Sequence, residues 1–569
     1  MFLSIACYLL GSVAVDKYFP MLKPPQIIIL SDPYQLDTVR YMGPYVVKNH
    51  LKQAGFDVVV IDYFTRFEND QQFFKYLENF VSDRLQAVMV STTFTYSSPT
   101  DFAWARSEMS KHITTEKAET KQGWWDYVKA SSLFLWKGNN EDMNSWFSGL
   151  RSVMSKKSPN AKIVLGGERL NWIYKFDPRA LPDDYALKQV DLCILGRVDL
   201  FIGELMKKFT AGSLGGYSLN VHTKNDIRYY IPPPHLQYSH HKDDIPDSTF
   251  GIEDAVLPGE WLPFENARGC AFNCKYCNYD KGHSQKKSME QTRAEFIRNY
   301  ELHGTTGYSF TCECFNDDYQ YVKDFHAMVK TLPFELEWNG YARFDLSHKY
   351  EDLAELTVDS GGRSLIIGIE TLNWEVGKKM GRGLKPERVL ELADQYKRAG
   401  DKHGGIHLKG CFIIGLPGET IESQTATNKF ISEQTYFNAV LGNVLEVMPY
   451  EDDLSGVFDF AGINVDPKKY GFEELSFDPY YWRHHTMDVY QAIDMNYQFN
   501  ESNKLNPYTY KYNNGKRNVN LFFYSAMRSL GYSHAEAMDK FNNVPEVYDQ
   551  CRDKIKRYHD LLLKTWCEQ

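Results

Sequence analysis

The chain has 569 residues, 43% of them hydrophobic and 24% charged, enough for several domains with ordinary cores. A net charge of −10 excludes a chain-wide basic field of the kind that holds nucleic acid. Ten cysteines spread over this length exclude a disulfide framework and fit a reducing, cytoplasmic compartment.

In chain order, Met1–Val15 is uncharged and mostly apolar but has no basic flank and is short for a membrane span. Met21 is an equally good initiator. No later stretch reaches the length of a transmembrane helix, so no stable membrane association is expected. Five apolar runs then alternate with helical patterns: 26–30, 57–61, 87–91, 162–165 and 191–195. The helix through Val46, Val47, Leu51 and Ala54 stops at Gly55. Short buried runs alternating with helices predict a Rossmann-like, doubly wound parallel sheet over 22–215. Ligands of such sheets sit beyond the carboxyl ends of the strands. Those ends carry Ser31, Ser91-Thr92-Thr93, Gly166-Gly167 and Gly196, small enough to admit a large ligand. A polar, Trp-rich insert is expected at about 96–145, with Trp104, Trp124, Trp125 and Trp136, and reads as a helical decoration. Residues 216–254, with Pro232-Pro-Pro234 and His235, His240 and His241, read as a linker whose histidines are solvated.

The next stretch carries the most chemistry. Cys270, Cys274 and Cys277 are spaced C-x3-C-x2-C, with Tyr276 just before the third. A loop of that size can aim three thiolates at one space, and three thiolates hold a [4Fe–4S] cubane with one iron left open. Zinc is the competing reading, but it asks for a fourth Cys or His at similar spacing, and His283 is six residues on. Strand and helix patterns alternate again through 307–311, 334–338, 364–370, 406–415 and 444–447. With the strand entering the cysteine loop they predict a partial (β/α)6 barrel over 255–455, with reacting groups at the carboxyl strand ends. Those ends hold Cys312-Glu313-Cys314, Arg343, Glu370 and Gly415-Leu-Pro-Gly-Glu-Thr420. Cys312 and Cys314 share one side of an extended chain. A thiol at the barrel mouth would serve as hydrogen-atom donor or metal ligand, and inert packing is the alternative. The turn at 415–420 also suits a plain helix start. Residues 456–569 read as an α-helical cap over the barrel mouth.

The triple cysteine, Gly368-Ile-Glu370 and the glycine turn, in this order, resemble the radical S-adenosylmethionine (radical SAM) family. The first domain resembles the cobalamin-binding domain that precedes the radical domain in one class of that family. The D-x-H-x-x-G motif that supplies an axial histidine to cobalt is missing, since Asp37-Thr38-Val39-Arg40 has no histidine there. The resemblance implies a [4Fe–4S] cluster on Cys270, Cys274 and Cys277, and S-adenosylmethionine (SAM) as cofactor. It implies SAM contacts from Tyr276 to adenine, Glu370 to ribose or amino group, Arg343 to the methionine carboxylate, and Gly415 and Gly418 to adenine. It implies cobalamin over Ser91, Thr92, Gly166, Gly167 and Gly196. Cys312 and Glu313 stand where relatives have an acidic pair, which makes them the candidate catalytic residues. The implied reaction is reductive cleavage of SAM to a 5′-deoxyadenosyl radical. Methyl transfer to an unactivated carbon of a small molecule would follow, with flavodoxin or ferredoxin as reductant. A cobalamin-independent rearrangement, cyclisation or oxidation, and a non-catalytic iron–sulfur protein, are the alternatives.

Overall fold

The computed structural model describes residues 22–32, 39–92, 143–167, 189–224, 226–233, 245–277, 283–447, 462–477, 480–502, 523–540 and 544–567, with Leu170, Tyr174, Leu187 and Leu236 singly between them. The leader, Asp37-Thr38, Trp104, Trp124, Trp125, Trp136, His235, His240 and His241 lie outside these residues.

Five apolar runs pair in parallel: β1 (Ile27–Ser31), β2 (Val58–Asp62), β3 (Ala87–Ser91), β4 (Lys162–Gly166) and β5 (Leu192–Ile194). Two further strands, β6 (Val221–Lys224) and β7 (Ile227–Tyr230), complete a sheet ordered β2-β1-β3-β4-β5-β7-β6. The stretch read as the start of a linker therefore belongs to the sheet. In Ile227-Arg-Tyr-Tyr230 only Arg228 is exposed, and β7 pairs with β5 on one side and with the hairpin arm β6 on the other. β1 to β3 are buried along almost their whole length, as both faces of a parallel sheet must be. The helices α1 (Met42–Gln53), α2 (Asp70–Leu77), α3 (Met143–Ser155) and α4 (Ile202–Thr210) cover them. Trp146 of α3 is sealed beside Phe64 and Phe73.

A second sheet holds six parallel strands in the order β15-β14-β13-β12-β11-β8. They are β8 (Leu262–Phe264), β11 (Gly307–Phe310), β12 (Glu337–Ala342), β13 (Gly362–Glu370), β14 (His407–Ile414) and β15 (Ala439–Val444). Between β8 and β11 a hairpin, β9 (Ala267–Cys270) and β10 (His283–Lys286), pairs Cys270 with His283. The crossovers include α5 (Met289–His303), α6 (Tyr319–Val329), α7 (Leu353–Asp359), α8 (Pro386–Lys402) and α9 (Ile421–Ser432). Their starts are dictated locally. Ser288 Oγ accepts from Gln291 N–H at 3.1 Å, Asp318 Oδ1 from Tyr321 N–H at 3.1 Å, and Pro386 opens α8. Two strands lie away from their predicted places. β12 runs through Asn339-Gly340 rather than ending there, and β15 lies at 439–444 rather than 444–447. In each a glycine that reads as a turn is a point of close approach. A Cβ at Gly340 would lie 3.3 Å from Phe310 Cβ, and one at Gly442 would lie 2.6 Å from Asn496 Oδ1.

The C-terminal region is mainly helical but opens with an antiparallel sheet, β16 (Phe472–Phe477), β17 (Tyr480–His484) and β18 (Met487–Asp488), where helix was expected. Its aromatic residues favour a half-buried pleat: Tyr481 and Trp482 are buried. Trp482 Nε1–H donates to Leu445 O at 3.1 Å, and His484 Nε2–H to Gly415 O at 3.1 Å, so β17 covers the carboxyl ends of β14 and β15. Next comes α10 (Val489–Ser502), packed on β15. The later helices do not cap the barrel mouth. α11 (Phe523–Ser529) and α12 (His534–Lys540) close the opposite end: Arg528 Nε–H donates to Glu337 at the start of β12 at 3.0 Å, and His534 lies against Gly405. α13 (Val544–Cys567) crosses to the first sheet, where His559 Nε2–H donates to Asp62 O at 2.9 Å and Asp62 N–H donates to Tyr558 Oη at 3.1 Å.

This last contact is pH-sensitive. Burial holds His559 down at about 4, against an ordinary 6.5. An unfolded chain takes the proton first, so the stability contributed by neutral His559 is whole above pH 6.5 and is lost as pH falls toward 4. His559→Gln should lower the denaturant midpoint by about 1 kcal/mol equivalent at neutral pH, the net worth of a buried hydrogen bond. The gap to wild type should shrink as pH falls through that window, which paired urea titrations would read.

Candidate active site

The cysteine loop hangs between the arms of the β9–β10 hairpin at the carboxyl end of the barrel. Gly269, at φ +74°, turns the chain into it. Three separate elements hold the loop. Lys275 N–H donates to Met380 O at 2.9 Å, and Ile463 N–H donates to Lys275 O at 2.9 Å. Ala271 N–H donates to Asp317 Oδ2 at 3.2 Å, and Asp317 is itself paired with Lys286 on β10. Cys274 is buried, while Cys270 and Cys277 are half-buried. No disulfide joins any of the described cysteines.

Beside the loop lies a charged group at the strand ends. Glu370 closes β13 at φ +68°, a strained conformation for a residue with a side chain. A bulge in the β13–β14 register accompanies it. Its carboxylate lies 3.4 Å from Arg382 Nη1. Burial pushes the Glu370 carboxyl up, against the pull of Arg382 and then Arg343. Gly368 makes room for this pair, since a Cβ there would stand 2.3 Å from Glu370 Oε1 and 2.9 Å from Arg382 Nη2. Tyr276 Oη is buried within the influence of Glu370 and Arg382.

Arg343 is placed differently from its sequence-based role. Its Nε–H donates to Asp345 Oδ1 at 2.9 Å and its Nη2 to Oδ2, so the fork expected to take a carboxylate is closed on Asp345. Its Nη1–H donates to Cys274 Sγ at 3.3 Å. Arg382 is the arginine that sequence reasoning missed. It follows Glu370 by a short helix, Trp374–Lys379, and lines a small cleft with Phe344, Asp345, Ile369 and Leu384. The available signal was an arginine between Gly381 and Gly383, because a Cβ at Gly381 would crowd Asn273 O of the cysteine loop at 3.3 Å.

Cys312 and Cys314 are both sealed from solvent, at 1% and 2% exposure. Burial pushes the Cys312 thiol up to about 12, so it is no exposed thiolate at the barrel mouth. Glu313 is half-buried between them. At the glycine turn, Gly415 and Gly418 adopt φ +95° and +101°. A Cβ at Gly415 would lie 2.6 Å from the Trp482 ring. Glu419 accepts from Thr371 and Ser423 hydroxyls, and Thr420 caps α9. The turn thus has a structural reason of its own.

At the first sheet, Ser91 pairs with Gly166 and Gly166 with Ile194, so the ends of β3, β4 and β5 form one in-register shelf. Thr92 is buried, its N–H donating to Gly166 O at 2.7 Å and its Oγ1 accepting from Leu170 N–H at 3.0 Å. Gly167 and Gly196 turn away from the shelf at φ +109° and +67°. This shelf is tied to the cysteine loop: Arg268, two residues before Cys270, pairs with Asp199, three residues after Gly196, at 2.5 Å.

These residues fit the groups that the sequence suggests. Among the described residues no three His, Cys, Asp or Glu side chains converge on a point one metal ion would fill. A cubane needs thiols that face one space without converging, each on its own iron. A polar ligand such as SAM would find Tyr276, Glu370 and the arginine at the cleft beside the cysteine loop. Among the described residues no helix is long and apolar enough to cross a membrane.

A profile of the Radical SAM superfamily matches residues 267–431, from β9 to α9. An uncharacterized methyltransferase of Pyrococcus horikoshii is 25% identical over 288 residues, 48% of this chain, and the chain spans 58% of that relative's length. Two solved structures of the radical SAM methyltransferase TsrM from Kitasatospora setae are 14% identical. The one with tryptophan substrate and a SAM analogue bound has a TM-score of 0.55 and covers 92% of this chain and 99% of its own. The one with cobalamin and a [4Fe–4S] cluster bound has a TM-score of 0.52, covering 93% and 100%. At that identity the likeness is one of fold. Residues 267–431 thus match the Radical SAM superfamily, and the fold of the chain as a whole is similar to that of TsrM.

Proposed function

We propose that this protein is a cobalamin-dependent radical SAM methyltransferase acting on an unactivated carbon of a small molecule. The observation that carries the reading is the Arg268–Asp199 pair, which joins the shelf at Ser91, Gly166, Gly167 and Gly196 to the strand that ends in Cys270. A methyl carrier on the first sheet and a cluster on the barrel must serve one substrate, and this bridge braces the two cradles against each other. When bound, the cluster, SAM and cobalamin supply the reductive cleavage and the methyl group. Cys270, Cys274 and Cys277 would hold the cluster. Tyr276, Glu370 and Arg382 would orient SAM, with Arg382 taking the anion-binding part first assigned to Arg343. Gly415 and Gly418 would contribute backbone. Ser91, Thr92, Gly166, Gly167 and Gly196 would bed the corrin. The Trp482 strand over Gly415 would exclude water. We also propose a division into a first domain, extended from 22–215 to about 230 because β6 and β7 complete its sheet, a barrel domain over 255–455 and a C-terminal region over 456–569, with flavodoxin or ferredoxin as electron donor.

Anaerobic purification with iron, sulfide and cobalt assays, followed by reduction with SAM present, tests this. The proposal expects cluster and cobalamin together, and 5′-deoxyadenosine on turnover. Cluster and 5′-deoxyadenosine without cobalamin binding would replace it with a cobalamin-independent reaction.

A further inference from the structure

The barrel carries a cation aimed at one cysteine sulfur. Arg343 follows β12, and its backbone is pinned on both sides: its N–H donates to Asn316 Oδ1 at 2.8 Å, and its carbonyl accepts from Asn316 Nδ2–H at 2.8 Å. The side chain is 4% exposed. Its guanidinium lies 3.7 Å from the centre of the Phe272 ring, inside the cysteine loop. Asp345 closes on Nε and Nη2, which fixes the fork and leaves Nη1 directed at Cys274 Sγ. Cys274 is the most deeply buried of the three cysteines.

Resting on the cluster reading above, we infer that Arg343 is a positioning residue that raises the reduction potential of the cluster through its hydrogen bond to Cys274 Sγ. Reduction adds one electron from an external low-potential donor and so one negative charge to the cluster. A cation donating to a ligand sulfur stabilises that added charge more than it stabilises the oxidised form. Burial keeps water and salt from screening the effect. Asp345 works the other way, since its carboxylate offsets part of the guanidinium charge while holding it in place. The pair therefore sets how easily the cluster accepts its electron, apart from any contact with substrate.

The test is a redox titration of the reconstituted full chain, followed by EPR, in wild type, Arg343→Lys, Arg343→Met and Asp345→Asn. Arg343→Met should move the midpoint to more negative potential, Arg343→Lys by less, and Asp345→Asn to more positive potential. An unchanged midpoint in Arg343→Met at full iron content would overturn the inference. So would Met and Asn variants that shift in the same direction, the mark of a loosened loop. If Arg343→Met assembles no cluster, unchanged midpoints in Arg343→Lys and Asp345→Asn overturn it instead. A wild-type chain that takes up no cubane would remove the cluster reading itself, and this inference with it.

Discussion

Single replacement of Cys270, Cys274 or Cys277 by Ala is expected to abolish the iron–sulfur absorbance of the reconstituted protein and to bring SAM cleavage below detection. A cubane held by three protein thiolates has no spare ligand, so loss of one leaves two irons without protein donors. The loop itself should survive, because its braces are made by backbone: Lys275 to Met380, Ile463 to Lys275, and Ala271 to Asp317. Circular dichroism of the variants should match wild type while iron content falls. Cys312→Ala makes the contrast. That thiol is buried at the edge of the core with Lys286 and Asn266 beside it, so its removal should cost about 1–2 kcal/mol of stability as a small cavity and leave iron content intact. Loss of the cluster in Cys312→Ala would restore a metal role to that residue.

The largest stability effect is expected at Arg40→Met. Arg40 is fully buried where the first sheet, the 254–260 segment and α13 meet. Its Nε–H donates to Glu260 Oε1 at 2.6 Å, Nη1 to Tyr45 Oη at 2.7 Å and Asp254 O at 2.6 Å, and Nη2 to Ala255 O at 3.0 Å. The Tyr558 ring of α13 stacks on the guanidinium at 4.5 Å. Removing the cation strands Glu260 as a buried charge and leaves two backbone carbonyls without donors, a loss of about 3–5 kcal/mol. Much of that cost is the stranded charge. Arg40→Met with Glu260→Gln should therefore recover part of it, a coupling that a double-mutant cycle in urea would show. Equal stability of single and double variants would mean that Glu260 keeps its charge compensated by another neighbour, with Lys554 the nearest candidate.

The cysteine loop and most of the parallel strands could be read from residues alone because each is a local statement. Three thiols at that spacing have few uses, and runs such as Ile27-Ile-Ile-Leu30 have one way to be buried. What could not be read depends on distant partners. Arg382 matters because β13 and the turn after Trp374–Lys379 return to the same place. Gly340 and Gly442 punctuate strands in sequence yet lie inside them, because the neighbours that need the space come from β11 and α10. The amphipathic pattern of α13 forecasts a helix but not its destination; Tyr558, His559 and Trp566 bind the first sheet and Glu253 rather than the barrel mouth. The partner of Arg343 was likewise hidden, since the fork that reads as free in sequence is paired with Asp345 two residues on.

The central claim is that one iron of a three-cysteine cubane stays open to SAM. EPR of the anaerobically reconstituted, dithionite-reduced protein, recorded with and without SAM, tests it most directly. The account predicts a [4Fe–4S] signal that changes on addition of SAM in wild type and is missing from Cys274→Ala. A signal indifferent to SAM, or one that survives in Cys274→Ala, would contradict it.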